Sequence, residues 1–304
     1  LEIISPKDGE RTNRETATIK GTVQDEHLDT VTINGKKIAV LEVTSFSEET
    51  AADFAEQLHA FEEQGIDGLV IDVRGNPGGY LNSVEEIAQL IIPNDKPYVQ
   101  IENRNGEKQR SISSLNEKKP YPIVGLIDGG SASASEILAA ALKETGGYEL
   151  VGERSFGKGT VQQTIDLGDG SNLKLSMFKW LTPDGHWIHE DGVKPTVEVR
   201  QPEYFYTSPL TVSDDALRFD MNNSQVKSAQ VMLEGLGFSP GRTDGYFSKE
   251  TEQAVRAFQD KSGLEVTGTI DAKTAERLQA EIIEHIRQPE NDLQLQTALE
   301  LLSR

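Results

Sequence analysis

The chain of 304 residues contains no cysteine, two tryptophans and five histidines, and aromatic residues make up only 6% of it. Without cysteine there is neither a disulfide frame nor thiolate chemistry. No apolar run reaches the roughly 18 residues that a membrane-spanning helix requires. Basic residues are scarce relative to acidic ones, 30 against 50, and the formal charge is -20. A surface of that sign repels phosphate backbones and anionic bilayers, so nucleic acid is excluded as a partner. Histidine is too sparse and too scattered for a metal site. "HWIHE" places His186 and His189 three residues apart, but no third ligand falls at a recognised spacing. The sequence therefore implies no metal and no cofactor.

What is present is a soluble globular profile, 36% hydrophobic and 26% charged, long enough for two or three domains. Residues 1–40 read as β-rich: "ATIKGTV" and "TVTINGKKIAV" alternate, with Asn34-Gly35 as a hairpin turn. This segment weakly resembles part of an immunoglobulin-like domain. From 41 to 200 the pattern becomes strand, tight loop, helix. "LEVTSF" and the buried-type run "GLVIDV" alternate with the helical segment 47–64, N-capped by Ser47, and with "SVEEIAQLII". "YPIVGLID" leads through Gly129-Gly130 into a helix over 135–144, and a hairpin follows around "DGS". Such alternation predicts an α/β fold, a mixed and largely parallel sheet with helices packed on it. Sites in such sheets gather beyond the carboxyl ends of strands, where both glycine-rich loops fall. Residues 201–223 read as a linker, 224–281 as a small all-α three-helix module in which Asp271 caps the third helix, and 282–304 as a C-terminal helix.

Chemistry concentrates in "GGSASASEIL", where serines stand at 131, 133 and 135. Ser133 with Glu136 three residues on is a capping box, which by itself explains the serine as a helix start. Lys158, between two glycines in "FGKGTVQ", shifts that balance. Glycine flanks suit a backbone that approaches another segment closely. In extended chain, Lys158, Thr160 and Gln162 face one side. A lysine enclosed beside a serine loses its proton more readily, because desolvation disfavours an ammonium. A glutamine can orient the amine without adding a charge that would hold the proton on. An oxyanion needs N–H donors, for which Ala134 at the helix start and Gly79 in "NPGGY" are the candidates.

The segments "DVRGNPGGYL", "GLIDGGSASASEILAAAL", "GERSFGKGTVQQ" and "WLTPDGHWIHEDGVKPTVEV" together resemble the successive motifs of the C-terminal processing (tail-specific) serine peptidases, over about 41–200. The resemblance implies a ClpP/crotonase-like core with Ser133 as nucleophile, Lys158 as general base and Gln162 orienting it. It places the oxyanion amides on Gly79 and Ala134. It further implies protein substrates with apolar C-terminal tails, bound as an added strand, and admits a homodimer. The PDZ domain that members carry ahead of the "LEVTSF" strand is not recognisable in these residues. "GRTDGYFSKETEQAVRAFQ" and "TGTIDAKTAERL" resemble a peptidoglycan-binding module, making peptidoglycan an expected partner and an extracytoplasmic, cell-envelope setting the expected location. Two alternatives stay open: a catalytically silent adaptor for tails and peptidoglycan, and a Ser-Lys amidase acting on small wall peptides.

Overall fold

The computed structural model describes residues 16–23, 26–212 and 215–304, with only the backbone described over 16–29 and at Thr164. The "IISPKDG" opening lies outside the described residues. The chain divides into two compact units, one of residues up to Val199 together with Thr297–Arg304, the other Arg200–Gln296.

The first unit is built on a seven-stranded mixed sheet. Strands β1 (Thr16–Val23), β2 (Glu26–Ile33) and β3 (Lys36–Glu42) form an antiparallel meander. The β2–β3 turn is Asn34-Gly35, both at positive φ (51° and 79°), as a twisted two-residue hairpin demands. Strand β3 then pairs in parallel with β4 (Gly68–Asp72), and β4 with β7 (Ile123–Ile127). Beyond β7 lie β8 (Glu149–Gly152) and the short β11 (Val197–Glu198), again parallel. Every residue of β4 and β7 is buried, which is why β7, and β4 up to its terminal Asp72, read as apolar runs rather than alternating ones.

Helices α1 (Thr50–Glu63), α2 (Leu81–Ile91) and α3 (Ala134–Ala140) cover the sheet. Phe54, Leu58 and Phe61 of α1 and Val84, Ile87 and Ile91 of α2 join Leu69, Ile71 and Leu138 in one core. Helix α1 begins at Thr50, not at Ser47. The Ser47 hydroxyl instead pairs with the Thr50 hydroxyl at 2.9 Å and with Glu49, so it organises the loop before the helix. Gly65, at φ 69°, ends that helix. Helix α3 widens into a π-helical turn over Ala141–Gly146 before the chain reaches β8.

A second, wholly antiparallel sheet runs in the order β6 (Lys108–Ile112), β5 (Pro97–Glu102), β10 (Asn172–Leu181), β9 (Thr160–Asp166). Trp180 of β10 is 1% exposed; burial of a large side chain contributes about 1.5–3 kcal/mol. It anchors β10 to the main core and donates its indole N–H to the Lys158 carbonyl at 2.8 Å.

The second unit holds α4 (Ser224–Gly235), α5 (Lys249–Lys261) and α6 (Ala272–Ile286) around Val226, Leu233, Val255, Phe258 and Leu278. Each helix begins at a side-chain cap: Asn223, Ser248 and Asp271 accept the N–H of Val226, Thr251 and Thr274. Helix α7 (Leu293–Ser303) ends the chain, and within the first unit the Lys36 ammonium donates to the Leu302 and Arg304 carbonyls.

Candidate active site

Strands β4 and β7 are neighbours, so the loops leaving their carboxyl ends, 73–80 and 128–133, lie side by side. Asp128 joins them: one carboxylate oxygen accepts the N–H groups of Gly75 (2.8 Å), Gly130 (2.9 Å) and Ser131 (3.1 Å). The serine trio then separates by function. Ser131 donates its hydroxyl to the Val73 carbonyl at 2.7 Å and Ser135 donates to the Asn76 carbonyl at 2.9 Å, and both are fully buried. Those two sew the loops together. Ser133, between them, is partly exposed and lines a cleft of about 580 Å³.

Ser133 has φ 56° and ψ -111°, a backbone conformation that non-glycine residues rarely adopt. Such strain persists only where surroundings hold it, and here the holder is Glu136. This carboxylate has no exposed surface. It accepts four hydrogen bonds: from the Ser133 N–H (2.7 Å), the Lys158 N–H (2.8 Å), the Gly157 N–H (2.6 Å) and the Ser155 hydroxyl (2.6 Å). Burying an ionised carboxylate is costly unless its lone pairs are filled, and four donors fill them. The expected capping box thus exists on its carboxylate side and extends well beyond local capping. One buried charge sets the serine loop and the lysine loop against each other.

The glycines beside Lys158 have a steric reason. A Cβ at Gly159 would lie 2.8 Å from the His189 nitrogen and from the Trp187 indole nitrogen, and one at Gly157 would lie 3.0 Å from the Glu190 nitrogen. The segment 187–191 crosses too closely for side chains. Trp187 donates its ring N–H to the Gly159 carbonyl and stacks on His189, so "HWIHE" serves as a brace for the lysine loop.

Gly78 and Gly79 form the opposite wall. The N–H of Tyr80 goes to the Phe46 carbonyl and the N–H of Phe46 to the Gly78 carbonyl, a parallel bridge in which Gly79 turns its own N–H the other way. Among the described residues no acceptor faces the N–H of Gly79 or of Ala134.

Ser133, Lys158, Gln162, Gly79 and Ala134, drawn from three separate stretches of sequence, all line this one cleft. Tyr80, Leu81, Ile137, Val161 and Trp180 supply its apolar wall, and Thr160 and Lys174 complete its polar side. Two structural residues of the site, Asp128 and Asn76, carry no pattern of their own in the sequence. Glu136 is legible there only as the capping-box partner of Ser133, and its bonds to Ser155, Gly157 and Lys158 are not.

The sequence profile of Peptidase family S41 matches residues 37–199, more than half of the chain, and the chain belongs to that family. A peptidoglycan-binding domain profile matches residues 222–278, and a glucodextranase domain B profile matches residues 1–55. Carboxy-terminal processing protease CtpB of Bacillus subtilis (strain 168) is 55% identical over 270 residues, covering 89% of this chain and 56% of that protein. CtpA of the same organism is 36% identical over 267 residues, covering 88% and 56%. This chain thus spans little more than half the length of those relatives. Among solved structures, the photosystem II D1 C-terminal processing protease superposes with a TM-score of 0.51 at 26% identity, over 60% of this chain and 57% of that one.

Proposed function

We propose that the chain is a serine endopeptidase working through a Ser133–Lys158 dyad. The observation that supports this best is the convergence of the five residues on one cleft. In the reaction, Lys158 as a neutral amine takes the proton of the Ser133 hydroxyl while the oxygen attacks the scissile carbonyl carbon. The oxyanion is received by the N–H groups of Gly79 and Ala134, which have no other partner among the described residues. Lys158 then passes the proton to the leaving amine as the carbon–nitrogen bond breaks, and water repeats the sequence on the acyl-enzyme. Gln162, on the same cleft wall, orients the amine without adding a negative charge that would hold the proton on it.

The cleft borders β9, an edge strand of the four-stranded sheet, whose free edge suits an extended peptide added as a further strand. Its apolar wall suits an apolar tail, and relatives named carboxy-terminal processing proteases support the same substrate class. The peptidoglycan-binding profile supports peptidoglycan as a second partner and work on the envelope side of the cell. The test is incubation of an unfolded protein bearing an apolar C-terminal tail with this chain and with Ser133→Ala, read by mass spectrometry. Fragments should form with the intact serine alone. Fragments of equal yield from both would remove Ser133 from the mechanism, and none from either would leave a binding protein.

A further inference from the structure

The lining of the cleft is charged in one sense only. Among the described residues, not one carboxylate lines the cleft, whereas two lysines do, Lys158 and Lys174. Several lysines elsewhere in this unit have acidic partners, Lys96 on Asp184, Lys108 on Glu102 and Lys119 on Glu62, and others, such as Lys36 and Lys143, donate to main-chain carbonyls. Lys174 has none among the described residues. Its position follows from the β9–β10 register. Gln162 lies opposite Ser176, and Lys174 opposite Thr164, so Lys174 stands on the face that Gln162 presents, one two-residue step (about 7 Å) farther from the serine. Lys158 is committed to proton transfer. Lys174 is therefore the one standing positive charge that the cleft offers to whatever lies along β9.

We infer that Lys174 binds a carboxylate carried by the substrate chain within a few residues of the scissile bond. This rests on the peptidase reading above and adds to it a charge requirement on the substrate. The carboxylate has two sources, the free C-terminus of the tail or an acidic side chain near it. An ammonium facing a cleft with no competing acid selects either over a neutral group, and it also disfavours a basic residue there.

The binding test uses the Ser133→Ala protein with fluorescein-labelled peptides of one apolar sequence in three forms: free acid, C-terminal amide, and amide with a glutamate at the penultimate position. Fluorescence anisotropy gives each Kd at low salt. The free acid is expected to bind about five-fold tighter than the amide, the yield of one partly exposed ion pair. That advantage should vanish in Ser133→Ala/Lys174→Met and reverse in Ser133→Ala/Lys174→Glu. If the glutamate-bearing amide binds as tightly as the acid, a side-chain carboxylate is read too; if it binds as weakly as the plain amide, the C-terminus is the source. Equal affinity for all three peptides, or a preference for acid that survives Lys174→Met, overturns the inference. Cleavage assays with the intact serine separate the two readings. Cleavage indifferent to Lys174 would leave the peptidase standing without its anchor, and a charge preference without cleavage would do the opposite.

Discussion

The buried polar groups of the helical unit and the cleft-lining ones of the first unit are treated in opposite ways. In the helical unit they are saturated. Gln230 donates its amide to the Tyr246 carbonyl and the Thr251 hydroxyl while accepting the Gly245 N–H. One helix later Gln259 repeats the device, donating to the Thr269 carbonyl and the Thr274 hydroxyl and accepting the Gly268 N–H. Each glutamine staples the loop that follows its helix to the first turn of the next. In the cleft of the first unit, by contrast, two backbone N–H groups and two lysine amines face open space without partners among the described residues. Polar groups that hold a fold are consumed by it, and those kept unpaired are available to a ligand.

That contrast predicts a division of mutational effects. The largest belongs to Lys158→Ala, which should lower the peptide-cleavage rate by about 10²–10⁴-fold, the usual yield of a positioned general base, with thermal unfolding nearly unchanged. A variant that still cut at the parent rate would end the dyad reading. Glu136→Gln is designed to break the contrast, because this carboxylate is saturated yet lies beside the open groups. Replacing one acceptor oxygen with an NH2 group opposes donors to donors and should cost on the order of 2–3 kcal/mol. It should also lower kcat per active-site-titrated molecule while leaving KM alone. A fall in stability alone would reduce Glu136 to a packing role.

In the other unit, Gln259→Leu strands the Gly268 N–H and should remove about 1–3 kcal/mol of stability, seen in denaturant melts, without touching cleavage. The smallest effect expected concerns acid. The Thr274 hydroxyl and N–H hold the Asp271 carboxyl below its ordinary range. A carboxyl held low in the folded chain stabilises above its unfolded value, and that contribution is lost as pH falls through the folded one. Asp271→Asn should therefore flatten the acid limb of that unit's melting profile. In the first unit Glu62 behaves with the same sign: burial pushes its carboxyl up, but hydrogen bonds from Lys119 and Tyr121 and the Lys119 charge pull it below normal. An unchanged acid limb in Asp271→Asn would show that the cap contributes no pH dependence.

Much of this was legible in the sequence because periodicity and turn chemistry are local. The Asn34-Gly35 hairpin, the apolar β7 and mostly apolar β4 and the Asp271 cap each follow from a few adjacent residues. The Ser47 cap was misread for a related reason: two cap-competent residues, Ser47 and Thr50, lie within one turn, and with their hydroxyls paired the helix starts at Thr50. What local pattern could not supply was long-range satisfaction. Glu136 reaches across 22 residues to Lys158, and Asp128 across 53 to Gly75. Nothing in either neighbourhood announces such partners, and the repeated Gln–Gly–Thr staple was invisible until both loops could be compared.

The glycine pair at 78 and 79 has a pharmacological corollary. Added at Gly78, a Cβ would lie 2.7 Å from the Ala132 carbonyl oxygen and 2.9 Å from the Ser133 Cβ; added at Gly79, it would lie 2.1 Å from the Phe46 carbonyl oxygen. Drug resistance usually arises when a side chain beneath an inhibitor is exchanged. On the mechanism proposed above, a covalent inhibitor of Ser133 that takes its contacts from the main chain of these two glycines leaves no side chain to exchange. Any replacement there must first displace the backbone that sets the serine, so the escape routes close together with the site.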